Sequence, residues 1–373
     1  MNNLLARGLV ASAGKSFYRW RQKGKILDSV FITNPLILSG NAEKLAIPNA
    51  EANSARGSVS YARWENNTWA IYGSLSGEGN GDRFGSTVQF SEDGSRIAIY
   101  ARTFNGGGKS YIYSTVNGAL IASFGTGEHT GPMSISGDGT RIALTTGEVF
   151  EETQSGWVKL GATFAAGFNR IAISQNGLRV AASSTTNNSS AVFEFLNNAW
   201  QQIASFNFGS QGVSLNADGS QLAFFFTLSC SVYQQASPEW TIMGGTFGGG
   251  GASLLTPPTT NFPDGTYVYT SFSYSAQFTP SGTLLFVGDY YDPNISIVQF
   301  PKRAQVLKFQ NNTWTQQGQA IEYRNPGAYY PESNQLPASI SSNGKVMVHS
   351  KKYTEFQTST YAGRLVTYEK ILP

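Results

Sequence analysis

The sequence predicts an all-β fold, a seven-bladed β-propeller of four-stranded blades. Three observations carry that prediction: a hairpin unit that returns seven times, a Trp-x-x-x-Gly element that follows most of its copies, and a composition suited to strands throughout. The hairpin unit is an apolar strand, a tight Asp-Gly or Asn-Gly turn, and a second apolar strand of the Arg-Ile-Ala-Ile type. Its copies occupy residues 39–47 (SGNAEKLAI), 91–99 (SEDGSRIAI), 136–144 (SGDGTRIAL), 174–182 (SQNGLRVAA), 216–224 (NADGSQLAF), 279–287 (TPSGTLLFV) and 341–349 (SSNGKVMVH). Self-similarity at a period of roughly 40 to 60 residues indicates radial repetition rather than independent hairpins.

The second element pairs Trp69 with Gly73, Trp157 with Gly161, Trp240 with Gly244 and Trp314 with Gly318, with Trp200 and Ala204 as a variant. The second unit carries Asn117-Gly118-Ala119-Leu120 in its place, and the last unit has none. Trp20-Arg21-Gln22-Lys23-Gly24 stands before the first hairpin unit with no unit of its own. The segment around residues 17–27 is therefore expected to supply the outermost strand of the last blade, with Trp20 and Gly24 as its closing residues. Pairing the chain ends removes an open sheet edge that would template aggregation. The expected organisation is a basic N-terminal arm with its closing strand over residues 1–30 and one propeller over 31–373.

Composition agrees. The chain has 24 Phe, 18 Tyr, 7 Trp and 41 Gly, and no long stretch has the apolar spacing of a helix. Charged residues make up only 13%, about half the usual share, so the surface is covered mainly by uncharged polar residues. A net charge of +3 is too small to imply nucleic-acid binding. Its distribution is uneven: Arg7, Lys15, Arg19, Arg21, Lys23 and Lys25 fall in the first 25 residues with no acid among them, a candidate docking arm or a solvated terminal strand. The single Cys230 cannot form an intramolecular disulfide and reads as a buried thiol. No apolar run is long enough for a transmembrane helix. Arg7 interrupts what would be the apolar region of a signal peptide, although Ala11-Ser12-Ala13 resembles a cleavage site.

Chemistry-bearing patterns are sparse. Gly14-Lys15-Ser16 is not a phosphate loop, because five residues separate Gly8 from Gly14 where that loop needs four. Only His129 and His349 are available as imidazole ligands, and they stand in different units. Calcium is the ion that the Gly77-Glu78-Gly79-Asn80-Gly81-Asp82 and Asp289-to-Asn294 loops would suit. Neither loop has the EF-hand pattern, and turn formation accounts for the same letters. No cofactor is expected. Asp93, Asp138 and Asp218 are explained by type I′ turns, which need positive φ at both central residues. The recurring Trp residues are expected to fill the gaps between blades. His129 would lie near a mouth of the central channel, but the few acids and two histidines equip that mouth poorly, so no enzymatic activity is expected.

Two insertions break the period, at residues 244–273 and 321–337, and long loops on a rigid ring commonly carry recognition. The Tyr residues in and near such loops, Tyr267, Tyr269, Tyr290, Tyr291, Tyr323, Tyr329 and Tyr330, are the candidate binding residues.

Several units join a Phe-Gly dipeptide to the hairpin, as in Phe84-Gly85 before residues 91–99, and Phe124-Gly125, Phe208-Gly209 and Phe247-Gly248 repeat it. Over nearly the whole chain this resembles FG-GAP and WD40-like propeller repeats. The acidic calcium loops of integrin-type repeats and the Trp-Asp dipeptide of WD40 repeats are absent, so the resemblance implies fold only. The composition is also similar to that of propeller-bearing structural proteins of phages and algal viruses. That likeness implies a non-enzymatic virion protein, a tail, fibre or capsid-surface component docking other virion proteins and meeting a host glycan or receptor. The alternative is a cellular or secreted, or cytoplasmic, protein-interaction scaffold. A propeller hydrolase or lyase is a third reading.

Overall fold

The structure is a computed structural model describing residues 19–25, 27–30, 36–125, 132–226, 230–237, 239–247, 275–278, 284–289, 302–316, 321–323, 338–341, 344–354 and 361–371. It is an all-β propeller of four-stranded antiparallel blades. Six blades are built from consecutive strands. Blade 1 comprises Ile37–Leu38, Lys44–Asn49, Ser58–Glu65 and Thr68–Ser76; blade 2 Phe84–Phe90, Arg96–Ala101, Lys109–Ser114 and Leu120–Phe124; blade 3 Met133–Ile135, Arg141–Leu144, Val149–Thr153 and Gly156–Lys159. Blade 4 comprises Arg170–Ile173, Arg179–Ser184, Ser189–Leu196 and Ala199–Phe206; blade 5 Gly212–Leu215, Gln221–Phe225, Cys230–Ala236 and Glu239–Phe247; blade 6 Ser275–Phe278, Leu284–Asp289, Lys302–Gln310 and Thr313–Gln316, with Ile321–Tyr323 beside the third strand. A further sheet joins the two ends of the chain: Ala338–Ile340, Val346–Thr354 and Tyr361–Ile371, with Arg19–Gln22 and Leu27–Val30 both paired to the last of these.

The Ile-Ala-Ile pattern explains how blades stack. Successive side chains of a strand point to opposite faces. On the second strands of blades 1 to 5 the large residues face backward and an alanine faces forward. Ile97 and Ile99 pack with Ala46 and Val59 of blade 1, whereas Ala98 packs with Met133, Ile135, Ile142 and Leu144 of blade 3. Ala143 meets Ile171, Ile173 and Val180, and Ala181 meets Leu222 and Phe224. Each seam thus sets large side chains against a small one, and Ala46, Ala98, Ala143, Ala181 and Ala223 are fully buried.

The Trp residues lie in these seams as expected. Trp69 packs with Val348 and Leu365, Trp157 with the blade 2 cluster, Trp200 with that of blade 3, Trp240 with that of blade 4 and Trp314 with that of blade 5. The glycine of the element marks an irregularity in the outer strand, a β-bulge where extra residues sit opposite fewer. Register shifts fall between Tyr61 and Ala62, Val192 and Phe193, and Ser231 and Tyr233. Gly161 and Gly244 take φ of 72° and 66°, and a Cβ on either would press on the Trp of the following blade, Trp200 or Trp314. That Trp donates its indole N–H to the carbonyl just before the glycine: Trp200 to Leu160 at 2.8 Å, Trp314 to Met243 at 2.9 Å.

The N-terminal element follows the same rule. Arg19–Gln22 pairs with Ile371 to Tyr368, and Leu27 pairs with Leu365, so four residues stand opposite two between them. Gly24 has φ of 67°, and a Cβ there would meet the Asn67 carbonyl and Trp64 of blade 1. Lys23 donates its N–H to Thr367 and Lys25 donates to Asn67, bonding this segment to both flanking sheets.

The rule also explains two exceptions. Blade 2 lacks the element and blade 4 has Ala204 in place of the glycine; the indole nitrogens of Trp157 and Trp240, which follow those blades, are buried without a hydrogen-bond partner. Trp200→Phe should therefore cost about 1–2 kcal/mol more than Trp240→Phe, because it strands the Leu160 carbonyl, whereas the second change removes a donor already unsatisfied. Chemical denaturation of the two variants, read by circular dichroism, checks this, and equal losses would refute it.

Candidate functional site

In an up-and-down four-stranded blade the first and third connections leave on one face and the second connection and the crossover to the next blade on the other. Among the described residues the hairpin turns and the outer hairpins therefore share a face, here termed the turn face. Strands flanking residues 248–274 and 324–337 are a fourth strand, or the segment that continues it, and the next first strand. Those flanking residues 290–301 are a second and a third strand.

The turn face corrects one expectation. The Asp-Gly turns are not type I′: Gly94, Gly139, Gly177 and Gly219 take φ of 69° to 74°, but Asp93, Asp138, Asn176 and Asp218 are not left-handed. Gly94 N–H donates to Ser91 O at 2.9 Å and Ser91 N–H donates to Arg96 O at 3.0 Å, giving a four-residue loop built around a type I turn. The left-handed position follows the aspartate, so only one residue of the loop needs it, and in blade 1 Ala42 fills it at φ 61°. The type I′ turns are instead the outer Asn-Asn pairs, Asn66-Asn67, Asn197-Asn198 and Asn311-Asn312, all with both φ between 49° and 63°.

A side-chain clasp locks the inner loops of blades 1 to 5. Ser91 Oγ donates to Asp93 Oδ1 at 2.7 Å and accepts from Arg96 N–H at 3.0 Å, while Asp93 Oδ1 accepts from Ser95 N–H at 2.9 Å. Ser39 with Asn41, Ser136 with Asp138 and Ser174 with Asn176 repeat the arrangement. Asn216 replaces the serine in blade 5, its Oδ1 accepting from Gln221 N–H. Partial burial raises the Asp93, Asp138 and Asp218 pKa values, but the hydrogen bonds from the loop outweigh it and leave all three below the usual carboxylate value.

The loops are also tied to one another. Arg96 NH1 reaches the Gly139 carbonyl of the next blade at 3.1 Å, Arg141 the Gly177 carbonyl at 3.2 Å and Arg179 the Gly219 carbonyl at 3.3 Å. The same arginines pair with Glu152, Glu151 and Glu194. Their aliphatic stems lie over the turn glycines, where a Cβ would come within 2.6 to 2.8 Å of an arginine Cδ. Nearer the axis, Glu92 N–H donates to Gly137 O at 2.6 Å, Gly137 N–H to Gln175 O at 2.9 Å and Asn176 N–H to Ala217 O at 3.3 Å. Gln175 Nε2 reaches across to Glu92 Oε2 at 2.6 Å. An open depression of about 520 Å³ lies here, lined by Glu92, Gly137, Asp138, Gln175, Asn176, Ala217 and Asp218. Glu92 and Gln175 escaped notice in the sequence; the signal was their shared place directly after the serine of the repeat.

The structure brings Trp20 and Gly24 to the chain-end sheet by backbone pairing and contact. Arg19, Arg21 and Lys25 are exposed there, Arg21 pairs with Glu369 at 2.5 Å, and Lys23 Nζ sits 4.7 Å over the Trp64 ring. Arg7, Lys15, Tyr267, Tyr269, Tyr290, Tyr291, Tyr329, Tyr330 and His129 lie outside the described residues; Tyr323 is described only as pairing with Lys302. In the Gly77–Asp82 loop, Glu78 Oε1 accepts from Lys109 at 2.6 Å and from the Tyr111 hydroxyl at 2.8 Å, and Asp82 Oδ2 accepts from Gly79 N–H at 2.6 Å. Those carboxylates face protein donors. Among the described residues no group of three or more His, Cys, Asp and Glu side chains gathers at one point. Cys230 is fully buried, and burial pushes its thiol pKa well up.

No family model matches the chain, and no curated protein matches it by sequence. Its fold is similar to solved WD40-type propellers. The β-propeller domain of Cps50 (Swd1) from Myceliophteria thermophila superposes with a TM-score of 0.57 at 9% identity, covering 93% of this chain and 99% of that one. A chain of the mitotic checkpoint complex superposes with a TM-score of 0.55 at 12% identity, covering 100% of this chain and 99% of that one. These likenesses support a WD40-like propeller and give no support to the resemblance to virion proteins.

Acid should loosen the turn face first. The carboxylates bind their loops in the ionised form with pKa values held below the ordinary value for aspartate, so their stabilisation is complete above that ordinary value and is lost as pH falls through the lower folded values. The triple variant Asp93→Asn, Asp138→Asn, Asp218→Asn should lose less stability than the parent between about pH 5 and 2. Denaturation midpoints across that range provide the check, and parallel pH profiles would refute it.

Proposed function

We propose that this protein is a non-enzymatic protein-interaction scaffold, a seven-bladed ring whose last blade is completed by the N-terminal strand. The observation that supports the scaffold reading best is the chemistry of the turn face. Asp93, Asp138 and Asp218 have lowered pKa values and are engaged by their own loops, the opposite of an acid poised to donate a proton near neutral pH. The depression among the loops of blades 2 to 5 is open, suited to a protein surface rather than to enclosing a small molecule. One of the structurally similar propellers belongs to a named multi-protein complex, the mitotic checkpoint complex, which is consistent with protein partners here.

The seven-bladed reading rests on the pairing of Arg19–Gln22 and Leu27–Val30 with Tyr361–Ile371. Removing residues 1–27 would take away the outer pairing of that strand, the Lys23 and Lys25 bonds and the Gly24 contact with blade 1. The truncated protein should melt well below the full chain or aggregate, as scanning calorimetry with light scattering would show. An unchanged melting temperature would mean the segment is decorative.

The function is tested by affinity capture of the full chain from its source cells, with cross-linking and mass spectrometry. Stoichiometric recovery with a defined set of cellular proteins supports the scaffold. Recovery with portal, tail or capsid proteins would overturn it in favour of a virion component, and recovery of the chain alone would overturn both.

A further inference from the structure

The outer hairpins of blades 1, 4 and 6 close in the same way, and two of them carry a group that the third lacks. Their tips are Asn66-Asn67, Asn197-Asn198 and Asn311-Asn312, and in the ladders Glu65 pairs with Thr68, Leu196 with Ala199 and Gln310 with Thr313. The residue after the pair is therefore threonine twice and alanine once, at the same register. Threonine suits the start of a strand, but Ala199 shows that the ladder needs no hydroxyl there. Thr68 and Thr313 complete the pattern Asn-x-Thr, the acceptor sequence for N-linked glycans, at Asn66 and Asn311.

The structure separates these two asparagines from the others that stand two residues before Ser or Thr. Those are Asn187, Asn188 and Asn294, the last outside the described residues. Asn187 Nδ2 donates to the Gly167 carbonyl at 3.1 Å, and Asn188 Oδ1 accepts from Gly209 N–H at 3.0 Å, so both amides hold neighbouring loops in place. Asn66 and Asn311 are exposed and take φ of 49° and 51° at the first position of their turns. Their side-chain amides make no hydrogen bond to any described residue.

We propose that Asn66 and Asn311 are acceptor sites for N-linked glycans. In the transfer, the amide nitrogen Nδ2 attacks the anomeric carbon of a lipid-linked oligosaccharyl diphosphate. The carbon–nitrogen bond forms as the anomeric carbon–oxygen bond breaks; the nitrogen gives up one proton, and the lipid diphosphate leaves with the bonding electrons. The linkage withdraws neither amide from a structural contact. The chain also tolerates an oxidising compartment in which such transfer takes place: Cys230 is its one thiol and is fully buried, so folding neither needs a disulfide nor offers a thiol to form one.

The placement has a consequence for the ring. Blade 1 packs against the chain-end sheet, and blade 6 meets that sheet from the other side. Glycans on Asn66 and Asn311 would flank the sheet, beside the N-terminal strand whose Lys25 N–H is bonded to the Asn67 carbonyl. They leave the depression lined by Glu92, Asp138 and Asp218 open to a partner.

The test treats the full chain, purified from its source cells, with a peptide N-glycosidase in water enriched in heavy oxygen. The enzyme converts each occupied asparagine to labelled aspartate, which peptide mass spectrometry locates, and a digest without enzyme controls for spontaneous deamidation. Label is expected at Asn66 and Asn311 and absent from Asn197, which has the same turn and exposure without the hydroxyl. The double variant Thr68→Ala, Thr313→Ala, made in the same cells, should fold and lose the mass of both glycans, because Ala199 already fills the equivalent place in blade 4. Unlabelled Asn66 and Asn311, or a double variant that keeps the full glycan mass, overturns the proposal. It is independent of the scaffold reading: unmodified asparagines leave the scaffold standing, and a failed capture of partners leaves the glycans in place.

Discussion

The blades of this protein have two apolar faces, and among the described residues no layer of helices covers them, so each must be buried against a neighbour. That constraint governs the rest of the structure. It explains why the second strand alternates large and small residues. Ile97 and Ile99 fill space behind the strand, and Ala98 leaves space in front for Met133 and Ile142. It also explains why the chain ends meet. The face of the last sheet that carries Val348 and Leu365 packs with Leu36, Leu38 and Trp69 of the first blade. Without the pairing of Arg19–Gln22 to Tyr361–Ile371, the outer edge of that sheet would present unsatisfied backbone groups beside the seam.

Much of this was legible in the sequence because it depends on period. The hairpin units and the Trp-x-x-x-Gly elements recur in fixed order, and an element at Trp20 with no unit of its own could only be reconciled by supposing that the ends pair. The local turn chemistry was legible in kind but misplaced. Asp-Gly and Asn-Asn both signal tight turns, and a two-residue type I′ turn is the commonest hairpin connection. The Ser-x-Asp-Gly-x-Arg unit carries extra information in its serine: the hydroxyl caps the Arg96 N–H and holds the aspartate, which widens the loop to four residues and moves the left-handed position onto the glycine alone. The Asn-Asn pairs lack that serine, and there both residues are left-handed.

The site was less legible, for a physical reason. The turn acids are frequent and evenly spaced, which makes them conspicuous in a sequence, yet their hydrogen bonds are spent on the loops that present them. Glu92 and Gln175 bridge neighbouring loops only because Gly137 stands between them. A Cβ at Gly137 would lie 3.0 Å from the Gln175 Cβ, so the bond depends on a residue that contributes no side chain. No single-residue pattern announces such a three-body arrangement. The Tyr-bearing insertions, by contrast, stand out in the sequence by length and composition.

A repeat protein offers a control that other folds lack, since each position has counterparts that perform the same structural task. A residue that matches its counterparts is explained by that task. A residue that departs from them is either tolerated or used. Ala204 in place of glycine is tolerated, and its consequence is local: the Trp240 nitrogen goes without an acceptor. The third-strand place that holds Thr115 in blade 2, Glu152 in blade 3 and Gln235 in blade 5 meets the loop-closing cation of the preceding blade in each case, whereas blade 4 sets Phe195 there against Arg141, which turns instead to Glu151 of its own blade. The backbone task is the same in all four, so the ring constrains the position of that residue and leaves its chemistry to the seam it meets.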